Sequence, residues 1–179
     1  MKYVQPIRDP EKILEIKNTL LKKSKRNYMI FVLGVNTGLR VSDLVKLKVK
    51  DVKDHEHIII TEKKTGKDKR ILITPTLKKE IKGYIINLYD DDYLIQGRGK
   101  NPLSRFMVYK ILKAAAKECG LREIGTHTLR KTFGYHFYYK YKNIAMLMDL
   151  FNHSSEKVTL RYIGINQDIL DRAMNNFKI

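Results

Sequence analysis

The spacing of apolar residues is helical along most of the chain and changes to a strand pattern in one region. In that region the β-rich runs 57–61 and 70–73 flank a polar turn that contains Gly66. Two β-rich runs joined by a short polar turn with a glycine predict a β-hairpin. The sequence therefore predicts a fold that is mainly α-helical with a small antiparallel β-sheet, in the α+β class.

Local signals predict where the helices begin and end. Asp9 and Pro10 are typical of an N-cap followed by a first helical turn, and helical spacing continues to Leu21. The next helix is expected to stop near Gly38, because glycine readily takes a positive φ. A basic loop is predicted at 96–102. The remaining helices are predicted over 28–35, 40–47, 76–89, 104–118, 127–141, 143–151, 155–162 and 167–176.

Length and composition limit the class of protein. We expect residues 1–179 to form a single domain, because this length is ample to bury one core. No apolar run reaches the roughly 18 residues needed to cross a bilayer, and the N-terminus lacks the apolar stretch of a signal peptide. Cys119 is the single cysteine, which excludes an internal disulfide and favours a cytoplasmic location. It follows an alanine-rich helical pattern, where a buried, non-catalytic cysteine is expected.

The charge of the chain indicates a polyanionic partner. Lysine and arginine number 36 against 19 acidic residues, which gives a formal net charge of +17. Such a field raises the local concentration of nucleic acid and speeds its association with the protein. A lysine-rich surface that serves only solubility would have the same composition, so charge alone does not decide between the two. A membrane surface is less favoured, because no basic amphipathic stretch carries a strong aromatic face.

Tyr162 stands out among the 11 tyrosines because of the residues that precede it. His153 lies upstream in a segment of its own, His127 and Arg130 lie on one predicted helix, and Arg40 follows a glycine turn. A phenol with a pKa near 10 is a weak nucleophile at neutral pH. Attack on phosphorus therefore requires cationic groups that stabilise the phenolate and the charge of the transition state. These residues, with a lysine of the hairpin turn, could supply such groups without a metal ion.

Taken one at a time, the same residues do not establish a site. His127 and Arg130 would share a helix face, where a surface arginine beside a capping or core histidine is the more ordinary arrangement. Arg40 could belong to an exposed ion pair, Lys64 could be solvated in its polar turn, and His153 could be a structural loop histidine. Only their joint occurrence, in this order, indicates phosphate chemistry.

Five segments read in order resemble the motifs of a known family. Thr-Gly-Leu-Arg-Val-Ser-Asp-Leu at 37–44 resembles a first arginine box, and Lys-Lys-Thr-Gly-Lys at 63–67 resembles a hairpin lysine motif. They are followed by His-Thr-Leu-Arg-Lys-Thr-Phe at 127–133, Asn-His-Ser-Ser at 152–155 and Thr-Leu-Arg-Tyr at 159–162. This order and spacing resemble the catalytic domain of the tyrosine recombinases, the phage-integrase family that includes the Xer-type resolvases. The resemblance covers about residues 25 to 165 and implies that domain's fold.

The resemblance implies a site-specific recombinase or integrase that works through a covalent intermediate. The tyrosine would attack a DNA phosphodiester and form a 3′-phosphotyrosyl link, and a 5′-hydroxyl could later reverse the step. The arginines would hold the scissile phosphate, the later histidine would donate to a nonbridging oxygen, and the earlier one would assist proton transfer. The hairpin lysine would protonate the leaving 5′-oxygen, and neither a metal nor another cofactor is implied. The implied catalytic residues are Arg40, Lys64, His127, Arg130, His153 and Tyr162, with Asp43 supporting the site and Lys63, Lys67 and Lys131 binding DNA.

The resemblance also implies partners. Double-stranded DNA is the expected substrate, with self-association on the DNA through the helix that begins near Gln167. The family usually has a helical core-binding domain before the catalytic domain, and we expect no such separate N-terminal domain here. Affinity would then depend on an accessory DNA-binding partner, or the chain would be a fragment. Asn152 stands where the family often has glycine, and asparagine tolerates the left-handed backbone region.

Two other functions fit part of the same pattern. A relaxer of supercoils of the type IB topoisomerase kind would share the tyrosine and the arginines. A non-catalytic DNA-binding module, such as a regulator or a decayed integrase, would share the basic charge. The full set of implied catalytic residues argues against the second alternative, because a decayed copy would be expected to lack at least one.

Overall fold

The mainly helical fold with a small antiparallel sheet is confirmed. The computed structural model describes residues 4–61 and 68–177 of the chain. The strands are β1 (His57–Thr61) and β2 (Asp68–Leu72), which pair antiparallel. The helices are α1 (Pro10–Lys23), α2 (Lys25–Thr37), α3 (Val41–Leu44), α4 (Pro75–Ile85), α5 (Arg105–Glu118), α6 (Thr128–Tyr141), α7 (Ile144–Phe151), α8 (Glu156–Ile163) and α9 (Ile165–Asn176).

The helix boundaries follow from capping side chains. The Asp9 carboxylate accepts a hydrogen bond from the Glu11 amide at 2.8 Å, which satisfies one of the free donors at the start of α1, as predicted. Ser24 ends α1 and its hydroxyl accepts from the Asn27 amide, so α2 begins earlier than the predicted residue 28. The end of α2 at Gly38, with φ of 63°, is confirmed.

Two predicted helices are too long, because backbone groups pair elsewhere. The helix predicted over 40–47 is confined to α3, since the Leu47 carbonyl accepts from the Leu94 amide at 2.7 Å and ties the chain to the segment after α4. The helix predicted over 76–89 ends at Ile85, since the Tyr89 amide donates to the Asp92 carboxylate at 2.8 Å in the turn that follows.

The predicted hairpin is confirmed in its two strands, and its turn lies outside the described residues. The register runs from His57 opposite Leu72 to Thr61 opposite Asp68, so β2 begins before the predicted residue 70. Ile58 and Ile71 are partners in this register, and both side chains are buried in the core. The hairpin is therefore packed on the helices through one face.

The buried apolar side chains form two clusters that meet along α6. The larger cluster joins α1 to α5 with the hairpin, and the smaller one lies among α6 to α9. Leu129 of α6 belongs to the larger cluster and Tyr135 to the smaller. A Cβ atom at Gly34 of α2 would lie 2.4 Å from Leu129 Cδ1, so the glycine permits α2 and α6 to pack closely. Arg130, one of the predicted site residues, follows Leu129 on α6 and lies at this boundary.

Cys119 is buried, as predicted from the alanine-rich helical pattern before it. No helix in residues 4–61 and 68–177 is both long and apolar enough to cross a membrane.

Candidate active site

Arg130 lies at the centre of the site and joins three helices. Its side chain is only 5% exposed. Nη1 donates to the Gly38 carbonyl at 2.7 Å and Nη2 to the Phe151 carbonyl at 3.0 Å. These carbonyls lie at the C-terminal ends of α2 and α7, where helix dipoles favour a cation. The guanidinium carbon also lies 4.0 Å from the centre of the Phe151 ring.

Arg40 approaches the same place from the loop after α2. It is the N-cap residue of α3 and its side chain is exposed. Its charge is close enough to lower the pKa of His127 and of His153. Within the described residues no ion pair joins it to Asp43, whose carboxylate accepts from the Ser42 hydroxyl at 3.2 Å. The expected support of Arg40 by Asp43 is therefore not a direct contact here.

Tyr162 of α8 brings its phenol to these cations. Its ring is half-buried and packs edge-on against Phe151, with ring centres 5.7 Å apart, and against His153, 5.3 Å apart. Burial raises the pKa of Tyr162 above its ordinary 10.0, while the charges of Arg130 and Arg40 oppose that rise. The phenol is thus protonated at neutral pH and needs a base before it can act as a nucleophile.

His127 lies within hydrogen-bonding distance of that phenol. It is the N-cap residue of α6, and its Nδ1 lies 3.3 Å from Tyr162 Oη. Loss of hydration lowers the pKa of His127 below 6.5, and the charges of Lys131, Arg130 and Arg40 lower it further. A neutral imidazole at this distance can accept the phenolic proton.

His153 occupies the loop between α7 and α8. Asn152, the residue before it, takes the left-handed backbone conformation with φ of 52°, which asparagine was expected to tolerate. The His153 amide donates to the Met148 carbonyl at 3.0 Å. Loss of hydration lowers the pKa of His153, and the charges of Arg130 and Arg40 lower it further. The ring is held between Phe151 and the tyrosine ring.

The predicted DNA-binding lysines have different positions. Lys131 is half-buried, and its ammonium lies 5.2 Å from the centre of the Tyr162 ring, so it belongs to the surroundings of the tyrosine. Burial lowers the pKa of Lys131, and the charge of Arg8 lowers it further. The catalytic prediction for Lys64 and the DNA-binding predictions for Lys63 and Lys67 lie outside the described residues.

Three residues at the site were not identified from the sequence. Phe151 provides the ring surface shared by the arginine, the later histidine and the tyrosine. Lys69 of β2 donates to the Leu150 carbonyl and contributes to the lowered pKa of His153. Thr159, wholly buried in α8, has its hydroxyl 3.1 Å from His153 Nδ1. The sequence shows only a threonine one helical turn before the tyrosine, whereas the burial of Thr159 and the positions of Lys69 and Phe151 depend on long-range packing.

The arrangement can support attack of a phenol on an anionic phosphorus centre. It combines a nucleophile, a neutral base in contact with it, two guanidinium groups and a second imidazole. Among the described residues no cluster of three histidine, cysteine or acidic side chains could hold a metal ion.

A family model described as the phage integrase family matches residues 8–168. The probable integrase/recombinase YoeC of Bacillus subtilis strain 168 is 51% identical over 178 residues, covering 99% of this chain and 98% of that protein. Tyrosine recombinase XerA of Pyrococcus furiosus is 31% identical over 169 residues, covering 92% of this chain and 59% of XerA. The chain therefore spans about three fifths of the length of XerA.

The fold is shared with solved structures. A XerH site-specific recombinase, bound to a palindromic difH substrate in a post-cleavage complex, superimposes with a TM-score of 0.77 at 21% identity. The superposition covers 98% of this chain and 54% of the XerH chain.

Proposed function

The chain belongs to the phage integrase family of tyrosine recombinases, and on that premise we propose that it cleaves and rejoins double-stranded DNA as a site-specific recombinase. The intermediate is a 3′-phosphotyrosyl link to Tyr162. Because this link conserves the energy of the phosphodiester, no nucleotide cofactor is needed for rejoining.

One observation carries the proposal more than any other. The Tyr162 hydroxyl lies 3.3 Å from His127 Nδ1, and the buried guanidinium of Arg130 is close enough for its charge to lower the pKa of that phenol. A tyrosine kept only for packing would not need a neutral base at its oxygen and a cation nearby. This combination is what a protonated phenol requires to become a nucleophile at phosphorus.

The proposed cleavage step transfers one proton and exchanges one bond at phosphorus. Tyr162 Oη forms a bond to phosphorus while its proton passes to His127 Nδ1. Arg40 and Arg130 stabilise the charge on the nonbridging oxygens, with a further hydrogen bond from His153. The bond to the 5′-oxygen breaks, and that oxygen takes its proton from Lys64, in the role predicted from its motif. Attack by a 5′-hydroxyl from another strand runs the same step backwards.

The partners follow from the same proposal. A palindromic substrate, such as the one bound by XerH, presents two related half-sites, so two copies of a small recombinase would bind it symmetrically. We therefore include self-association on DNA in the proposal. An accessory DNA-binding partner and a cytoplasmic location remain part of it as expected from the sequence.

The test is capture of the covalent intermediate on nicked duplexes that prevent rejoining. Wild-type protein and Tyr162→Phe are compared on a pool of palindromic duplexes and on DNA flanking the gene, in the presence of a chelator. The expected result is a metal-independent adduct with wild type and none with the variant, which binds the same DNA equally well.

Other outcomes would change the proposal in defined ways. An adduct with both proteins would move the nucleophile to another residue. Binding by both proteins without any adduct would favour the non-catalytic DNA-binding module. If adducts form, the protein is mixed with two supercoiled DNA substrates. Joined recombinants would support the recombinase, whereas relaxation alone would support the type IB topoisomerase alternative.

A further inference from the structure

The His153 ring makes one polar contact that the proposed mechanism does not use. Its Nδ1 lies 3.1 Å from the hydroxyl oxygen of Thr159. Thr159 is 0% exposed and lies on α8, the helix that carries the tyrosine. One helical turn earlier, the Ser155 carbonyl accepts a hydrogen bond from the same hydroxyl at 3.0 Å. The contact therefore belongs to a short chain of hydrogen bonds from the ring to the helix backbone.

The direction of this chain follows from the number of hydrogens available. A threonine hydroxyl has one hydrogen, and here it is directed to the Ser155 carbonyl, four residues back along the helix. The hydroxyl can then offer only a lone pair to His153 Nδ1. Nδ1 must therefore carry a hydrogen, and in the neutral ring Nε2 has none.

We infer that Thr159 is a positioning residue that holds His153 in the Nδ1–H form. In that form Nε2 can donate a hydrogen bond to the scissile phosphate only when the ring is doubly protonated. The inference rests on the proposed function, because it takes the phosphate as the acceptor at Nε2. Its consequence is that phosphate binding and protonation of His153 are coupled. A neutral His153 would present a lone pair to an anionic oxygen and would repel it.

The surroundings of His153 make that coupling strong. The charged groups that face it come from separate elements: Arg130 from α6, Arg40 from the loop before α3, and Lys69 from β2. Tyr162 from α8 is the titratable ring beside it. Loss of hydration and then the three cations lower the pKa of His153 and so disfavour a charged imidazole in the free protein. A phosphate anion placed among them offsets their charge and restores the affinity of Nε2 for a proton.

The first test is the tautomer of His153 in the protein without DNA. Long-range ¹H–¹⁵N spectra of the uniformly labelled protein at alkaline pH distinguish a protonated ring nitrogen from one with a lone pair. We expect Nδ1 to be protonated in wild type and in Thr159→Ser, and Nε2 to gain the hydrogen in Thr159→Val. A wild-type ring protonated at Nε2 overturns the inference, even if no variant can be prepared.

The second test is the pH profile of adduct formation. Wild type should lose activity on the alkaline side as His153 loses its second proton. In Thr159→Val the neutral ring can carry its hydrogen on Nε2, so the loss of activity at alkaline pH should disappear. The rate of adduct formation at the wild-type optimum should fall about tenfold, because the His153 ring is less well oriented. Thr159→Ser should restore both properties.

Thr132→Val is the matched control for loss of a buried threonine hydroxyl. That hydroxyl accepts from the Ile7 amide at 2.9 Å, and within residues 4–61 and 68–177 it makes no hydrogen bond to the His153 ring. Both the tautomer of His153 and the pH profile should therefore stay as in wild type. An unchanged profile in Thr159→Val overturns the inference. A wild type without any adduct would instead refute the proposed function, and the tautomer would still decide the role of Thr159.

Discussion

Replacement of Arg130 by alanine should weaken the fold as well as the chemistry. The guanidinium donates to two carbonyls, at 2.7 and 3.0 Å, and lies 4.0 Å from an aromatic ring. Two hydrogen bonds from a charged donor contribute about 1.5 kcal/mol each and the ring contact about 1 kcal/mol. Because alanine also removes the cost of burying a charge, we expect a net loss of about 3 kcal/mol in the free energy of unfolding.

Arg40→Ala is the matched control for this prediction. Its side chain is exposed and makes no hydrogen bond to any residue in the described ranges, so its loss should change the unfolding free energy by less than ~0.5 kcal/mol. Both variants should lower the rate of adduct formation by roughly 10²–10³-fold, because each removes a cation from the transition state.

Urea unfolding followed by far-ultraviolet circular dichroism measures the stability difference, since the chain has no tryptophan to report by fluorescence. Equal unfolding free energies for Arg130→Ala and Arg40→Ala would refute the assignment of Arg130 as a link between α2 and α7. Normal adduct formation by either variant would refute its place in the site.

Three further predictions follow from the charges and contacts described. As the pH is lowered, adduct formation should fall only below pH 6.5, because the pKa of His127 is lowered and its neutral form accepts the phenolic proton. The same fall at acid pH in His127→Gln would contradict this role. DNA affinity should fall steeply with salt on a log–log plot, and a slope near zero would argue against contacts to phosphates. Gly38→Ala should destabilise the fold by about 1–3 kcal/mol, because φ is +63° and the new Cβ would lie 2.4 Å from Phe133 Cδ1. In the same unfolding assay the control Gly83→Ala, whose new Cβ would meet no atom within 4 Å, should be neutral or stabilising.

The sequence predicted the elements of the fold better than their ends. Capping residues such as Asp9 act over one helical turn, so the start of α1 could be predicted from neighbouring residues. The early end of α3 could not, because it depends on pairing of Leu47 with Leu94, far along the chain. The hairpin strands were predicted from their β-rich composition, while the residue that begins β2 is set by cross-strand register.

For the site, motif order predicted that side chains from separate segments would lie together, and the structure brings His127 and Tyr162 into contact without showing their roles. The approach of His127 to Tyr162 agrees with that expectation, and so does the common location of Arg40 and Arg130. Burial of Arg130 by two helix ends could not be predicted, since it requires the three-dimensional packing of α2, α6 and α7. The position of Lys131 over the tyrosine ring had no local signal either.

The placement of Tyr162 has a consequence for how many copies of the chain one cut requires. The imidazole at its oxygen, the guanidinium whose charge lowers its pKa and the ammonium over its ring all come from the tyrosine's own chain. A single protomer would then donate the nucleophile to its own pocket rather than to a neighbour's. Two defective proteins, Tyr162→Phe and Arg40→Ala, should therefore fail to complement each other when mixed, and recovery of the covalent adduct would mean that subunits exchange their tyrosines.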